Sequence, residues 1–211
     1  SGDLAAIDAQ NIEIVDVKAT AAATVELDYV DDATSVVNRK SSAELTLDSV
    51  EKITKISITE ASADTTLESS SATKQSMTFD VTGVADADDA DINITEASTD
   101  ITAITINVLT TSSFADVRAD EAVTLTIAAT GNLELEDISE GAALTTISAS
   151  GAGDITLLDL TDATTLKTVT HTGSGAVKLE ALNTADHAIT TGSGADRVGI
   201  TDGAWTTADA I

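Results

Sequence analysis

The sequence predicts an all-β protein wound as a right-handed parallel β-helix, or β-solenoid, with coils of roughly 20–22 residues and little helix. Three observations support this prediction. One stretch repeats itself at a fixed offset, the apolar residues alternate as in half-buried strands, and the core must be built almost without aromatic residues. Each coil of a solenoid buries its apolar positions against the coils on either side, so a thin, regular core is sufficient.

The repeat lies within residues 144–182. When this stretch is shifted by 22 residues, seven positions match in kind: Leu144, Ile147, Gly151, Gly153, Ile155, Leu157 and Leu160 fall on Leu166, Val169, Gly173, Gly175, Val177, Leu179 and Leu182. Short apolar strands separated by glycine-containing turns at this period are typical of a solenoid.

The composition favours the same architecture. Hydrophobic residues make up 42% of the chain but aromatic residues only 2%, so Val, Ile, Leu and Ala must form the core. Small and β-branched side chains pack well as ladders between stacked strands. The chain contains no Cys, which excludes a disulfide scaffold and thiolate metal sites.

Two strand patterns alternate along the chain. After strands predicted at residues 12–17 and 25–30, the spacing Leu45-x-Leu47-x-x-Val50 recurs from Leu133, Ile155 and Val177. Period-two alternation predicts a strand with one buried face, and the third apolar residue predicts a corner. The second pattern, Ile53-x-x-Ile56-x-Ile58, recurs from Ile101 and less completely from Leu144 and Leu166.

The early coils are predicted to be irregular in length, because residues 56–62 recur almost unchanged as residues 92–98, at an offset of 36. Helix is a competing interpretation for residues 116–122, but no segment carries a long 3.6-residue periodicity. Eight to ten coils stacked at about 4.8 Å would form one elongated module over residues 1–211, roughly 40–50 Å long. We expect this module to be a fragment of a longer protein whose further coils cover its open ends.

The net charge of −26 restricts the partners, since Asp and Glu number 36 against 10 Lys and Arg. Nucleic acids and anionic membranes require basic patches, so neither is an expected partner. No apolar run approaches the roughly 18 residues of a membrane span, so no membrane insertion is predicted. A surface with this net negative charge attracts cations.

The clearest chemical motif covers residues 191–199. Its sequence, Thr-Gly-Ser-Gly-Ala-Asp-Arg-Val-Gly, resembles the calcium-binding nonapeptide of RTX proteins, Gly-Gly-x-Gly-x-Asp-x-U-x with U apolar, except that Thr191 replaces the first Gly. Gly192 and Gly194 would let the loop turn its carbonyls inward, and Asp196 would supply a hard oxygen ligand. We therefore predict a calcium half-site at these three residues, and a candidate start of an RTX-like calcium-binding segment at residues 191–211. An ordinary glycine-rich turn is the alternative.

Other candidate sites are weaker. Asp86, Asp88, Asp89 and Asp91 could bind calcium through side-chain oxygens, but a solvated acidic loop is favoured because no glycine lies among them. Threonines recur beside the apolar positions over residues 124–172. They form either ordinary solvent-facing strand positions or a flat ladder that binds ice or a crystalline glycan. The first interpretation is favoured because the threonines do not keep one constant offset in sequence.

No catalytic residues are predicted, and the chain is not expected to be an enzyme. His171 and His187 are the only histidines, and no Gly-x-Ser-x-Gly nucleophile motif occurs. A cleft that processes polysaccharides needs aromatic platforms, which this chain lacks, so a polysaccharide-active β-helix enzyme is the least favoured alternative.

The Thr- and Ala-rich repeats carry a family resemblance. Residues 163–169, Ala-Thr-Thr-Leu-Lys-Thr-Val, and the segment leading into residues 189–196 resemble the β-solenoid portions of RTX-type surface-layer (S-layer) proteins of Gram-negative bacteria, over about residues 45–200. The resemblance implies secretion to the bacterial cell surface, calcium-dependent assembly of copies into a lattice, and anchoring to lipopolysaccharide through a separate domain. A stalk or ligand-binding module of a secreted RTX adhesin is the alternative.

Overall fold

The chain folds as a β-solenoid of two parallel sheets, as the sequence predicts. The computed structural model describes residues 11–68, 75–85, 90–95, 101–182 and 186–200. Sheet 1 contains the odd-numbered strands: β1 Ile14–Val17, β3 Ser35–Arg39, β5 Lys55–Thr59, β7 Gln75–Thr82, β9 Ile101–Val108, β11 Thr124–Ala129, β13 Thr146–Gly151, β15 Thr168–His171 and β17 Ala188–Thr190. Sheet 2 contains the even-numbered strands: β2 Ala23–Glu26, β4 Leu45–Asp48, β6 Thr65–Glu68, β8 Ile92–Ile94, β10 Ser112–Ala119, β12 Leu133–Asp137, β14 Ile155–Asp159, β16 Val177–Leu182 and β18 Arg197–Ile200.

The chain alternates between the two sheets, so each strand pairs with the strand two further along. Each sheet has nine strands among the described residues. Nine strands spaced at about 4.8 Å extend roughly 38 Å along the solenoid axis. The only helical segments in the described ranges are two short 3-10 turns, Leu27–Tyr29 and Val50–Lys52. Strand β10 occupies most of the segment for which helix competed, so that alternative is wrong.

The predicted 22-residue register is confirmed where the repeat is clearest. Ile147 pairs with Val169 in sheet 1, while Ile155 pairs with Val177 and Leu157 with Leu179 in sheet 2. The predicted corner residues also meet, because an isolated parallel bridge joins Leu160 to Leu182.

The core lies between the sheets and is aliphatic along its length. Inward residues alternate with outward ones in nearly every strand, as in β11, where Leu125, Ile127 and Ala129 are buried. Only two aromatic side chains, Phe79 and Phe114, belong to the buried set in the described part of the chain. Neighbouring coils repeat the same kinds of aliphatic side chain, so these side chains stack in columns through the narrow interior.

The near-verbatim echo of residues 56–62 in residues 92–98 does not mark equivalent positions. Ile56 lies in β5 of sheet 1, whereas Ile92 lies in β8 of sheet 2. The same alternation serves either sheet because each sheet buries only one face. Coil length does vary as predicted: Leu45 pairs with Thr65, 20 residues on, and Thr65 pairs with Ile92, 27 residues on.

Sheet 2 changes register at β10. Its last three residues pair with β8, through Val117 and Ile92, while the part from Ser112 to Asp116 pairs with β12, through Leu133 and Asp137. The similar spacings from Leu45 and Leu133 therefore do not form one continuous column across sheet 2.

No helix in the described residues is long and apolar enough to cross a membrane.

Candidate functional site

The predicted calcium half-site is the last member of a stack of glycine turns. Gly192 lies on Gly173, and a Cβ added to Gly192 would stand 2.2 Å from the Gly173 carbonyl oxygen. Gly194 lies on Gly175 in the same way, at 2.1 Å. Only glycine allows so close an approach of two backbones. The Ser193 amide donates to the Gly173 carbonyl at 3.1 Å, so this carbonyl oxygen already bonds the next coil.

Asp196 joins the last two coils of sheet 2. Its Oδ1 accepts a hydrogen bond from the Val177 amide at 2.8 Å. In the preceding coils, each side-chain oxygen accepts from an amide of the following coil: Asn132 Oδ1 accepts from the Asp154 amide, and Asp154 Oδ1 accepts from the Ala176 amide. Ala176 has no side-chain oxygen, so it cannot accept from the coil that follows it. Asp196 instead accepts from an amide of the preceding coil.

His171 is a residue of this site that the sequence analysis did not assign to it. It is buried where the preceding coil places Ala149, and its Nδ1 lies 4.0 Å from Asp196 Oδ1. Neither ring nitrogen has a hydrogen-bond partner within the described residues. A buried imidazole whose ring nitrogens have no hydrogen-bond partner costs free energy. The sequence signal for this residue is a histidine at the position where the preceding repeat has Ala149.

Asp91 has a structural role in a second ladder of carboxylates. Asp64 Oδ1 accepts from the Asp91 amide at 3.1 Å, and Asp91 Oδ1 accepts from the Asp116 amide at 2.9 Å. Asp116 in turn accepts from both the amide and the hydroxyl of Ser139. Each carboxylate thereby satisfies a backbone donor of the following coil. Asp86, Asp88 and Asp89, the other members of the weaker calcium candidate, lie outside the described residues.

Three aspartates of sheet 2 form a column with unfavourable charge. Asp116 pairs with Asp137, and Asp137 pairs with Asp159, across three consecutive strands. Burial, together with the negative charges of Asp116, Asp159 and Asp162, raises the pKa of Asp137 above its usual value. Among the residues described, no group of three or more His, Cys, Asp or Glu is placed to hold a metal ion.

The raised pKa predicts a pH-dependent effect of Asp137→Asn. An ionised Asp137 destabilises the fold, because its pKa is higher in the folded than in the unfolded chain. The substitution should therefore raise the free energy of unfolding at pH 7, and the gain should shrink as the pH falls through the folded-state pKa. Urea unfolding at a series of pH values measures this difference.

Glu136→Gln is the matched control, since it removes the same charge from an exposed neighbour. Its effect on stability at pH 7 should be smaller than that of Asp137→Asn. Equal gains from both substitutions, or a gain for Asp137→Asn that is constant with pH, would contradict a local repulsion at Asp137.

No protein-family model, no curated protein and no solved structure matches this chain. Its function is therefore inferred from its own residues and geometry.

Proposed function

We propose that this chain is a structural module of a secreted, calcium-stabilised protein that assembles copies of itself into a layer on a bacterial cell surface. The observation that supports the proposal is the pair of nine-stranded parallel sheets, which use most of the described chain to build a continuous rod. A rod of stacked coils offers long lateral faces that repeat along its axis. Such faces suit assembly into a lattice, and attachment to lipopolysaccharide would belong to a separate domain.

The charge supports a requirement for divalent cations in this assembly. Copies that each carry a net charge of −26 repel one another when they pack side by side. Calcium prefers oxygen ligands, and extracellular modules bind it with Kd on the order of 10⁻⁴–10⁻³ M. Asp196, with Gly192 and Gly194 in the same turn, offers some of the oxygen ligands, and a following coil or a neighbouring copy would supply the rest.

The proposal is tested by adding calcium or magnesium to the purified chain at equal ionic strength. Calcium at millimolar concentration should produce ordered sheets in negative-stain electron microscopy and a higher melting temperature than magnesium does. Magnesium releases its water reluctantly and requires near-octahedral geometry, so it serves as the control for general screening. Equal effects of the two ions, with no ordered assembly in either, would refute the proposal.

Two substitutions at Asp196 separate calcium binding from the hydrogen bond to Val177. Asp196→Asn keeps an oxygen that accepts from the Val177 amide but loses the charge, so it should lose part of the calcium increment and keep the melting temperature in magnesium. Asp196→Ala should lower both, because an unpaired buried amide costs about 1–3 kcal/mol. If Asp196→Asn responds to calcium as the parent does, the ion does not bind at this turn.

A depression beside sheet 2 supports a second candidate, a ligand-binding module of a secreted adhesin. It has a volume of about 610 Å³, and its lining includes Asn132, Glu134, Asp154 and Thr156. These polar side chains follow one another on neighbouring coils and could bond a hydrophilic ligand. Binding to a glycan array that Asn132→Ala abolishes would favour this function over assembly.

A further inference from the structure

The outer face of sheet 1 carries no charge over its last five strands. On strands β9, β11, β13, β15 and β17 the outward positions of sheet 1 hold only Thr, Ser, Ala and Asn. The outward positions of sheet 2, by contrast, include Glu134, Glu136, Lys178 and Glu180. In a chain with a net charge of −26, the charged residues are thus absent from one face over five strands.

The hydroxyl groups of this face are in register from coil to coil. Strand pairing aligns six hydroxyls in one column, five on these strands and a sixth, Thr78, on β7: Thr78, Thr105, Thr126, Ser148, Thr170 and Thr190. A second column, two residues away along the strands, contains Thr124, Thr146 and Thr168. We call these two columns the threonine face. These side chains align although some of their offsets in sequence differ, because unequal coils change the offset and leave the register in the sheet intact.

The threonine face is a rectangular grid of hydroxyl and methyl groups. Neighbouring rungs lie about 4.8 Å apart, and alternate residues along a strand lie about 6.6 Å apart. Threonine is stiff at χ1, so the grid loses little side-chain entropy on binding. None of the six hydroxyls in the first column makes a side-chain hydrogen bond within the described part of the chain. Their donors and acceptors therefore face water.

We propose that the threonine face binds the surface of ice. Both spacings of the grid are of the same order as the oxygen repeats of hexagonal ice, so hydroxyls can take the places of lattice water. The methyl groups between them order the adjacent water. From β9 to β17 no charged side chain is present on this face to hold a hydration shell that conflicts with the lattice. Charged side chains begin at the β7 end, where Lys55 occupies the rung next to Thr78 and forms an ion pair with Asp80.

Two other partners fit the face less well. Crystalline polysaccharides are usually bound by aromatic side chains, and none lies on this face. A second copy of the chain would meet a grid of only roughly 300–400 Å² from these spacings, compared with about 800 Å² per partner in a stable protein interface.

The test is partition of the purified chain between growing ice and liquid, combined with ice recrystallisation. We expect the parent chain to enter the ice and to slow recrystallisation. Thr126→Lys should lose both activities, because a lysine at the middle of the grid holds the face away from the lattice. Thr46→Lys is the matched control, since it makes the same change on the outer side of sheet 2, and it should retain both activities. Circular dichroism and the melting temperature verify that the variants fold.

Three outcomes would overturn the proposal. The first is exclusion of the parent chain from ice to the same extent as serum albumin. The second is an equal loss of activity in Thr126→Lys and Thr46→Lys. The third is that the parent chain has no effect on ice but forms a dimer in sedimentation velocity, and that Thr126→Lys dissociates this dimer. That result would assign the face to a second copy. None of these measurements depends on calcium or on lattice assembly, so the proposed function is tested separately.

Discussion

Leu157→Asp is expected to unfold the solenoid at neutral pH. Leu157 is 1% exposed, and it lies in one column with Leu135 and Leu179 of the adjacent coils. Loss of the leucine side chain alone costs about 2–5 kcal/mol. The introduced carboxyl has no polar partner there and must be protonated, which at pH 7 costs a further ~4 kcal/mol. The total approaches the whole stability of a typical domain, about 5–15 kcal/mol.

Far-ultraviolet circular dichroism and urea unfolding measure this result. Thr156→Asp is the matched control, because it introduces the same charge at the residue of β14 that directly precedes Leu157 and lies on the outward side. It should leave the fold intact. A Leu157→Asp variant that melts at the temperature of the parent would show that this column does not form the core.

Gly153→Ala should destabilise the chain by about 3 kcal/mol or more, the upper end of the cost of overpacking. The added Cβ would lie 2.0 Å from the Gly131 carbonyl oxygen and 2.5 Å from its carbon. Both atoms belong to the backbone of the previous coil, so no side chain can move aside. The coils would have to separate, which breaks the hydrogen bond from the Gly153 amide to the Ala129 carbonyl.

Gly141→Ala is the control for the general effect of replacing a turn glycine. Its added Cβ would meet Ile138 Cγ2 at 3.3 Å, a side-chain atom that can shift. The urea midpoint should therefore change far less than in Gly153→Ala, with the same m-value in both. Equal losses in the two variants would mean that backbone flexibility, rather than the contact with Gly131, determines the cost.

The regular part of the solenoid was predictable because its information is local. Ile155, Leu157 and Leu160 recur as Val177, Leu179 and Leu182 at an offset of 22, and the structure pairs each of them as expected. A strand with one buried face requires alternation, and a coil of constant length requires constant offsets. Both requirements are visible in the order of residues.

The candidate sites were only partly predictable. The glycine turn at Gly192 and Gly194 was recognised, but the bond from Val177 to Asp196 and the burial of His171 beside it were not. Asp91 was assigned to an acidic cluster, whereas the structure places it in a ladder with Asp64 and Asp116. These contacts join residues 19 to 27 positions apart, and their partners depend on how long each intervening coil is.

The sequence by itself determined the fold class, the aliphatic core and the register of the 22-residue coils, since all three follow from apolar alternation and from glycine at fixed intervals. Only the tertiary structure decided which surface residues share a column. Thr78 and Thr105 are 27 residues apart and Thr170 and Thr190 are 20 apart, yet each pair occupies neighbouring rungs. Turns absorb insertions without moving the strands, because backbone hydrogen bonds and core packing determine the pairing while the loops remain at the surface.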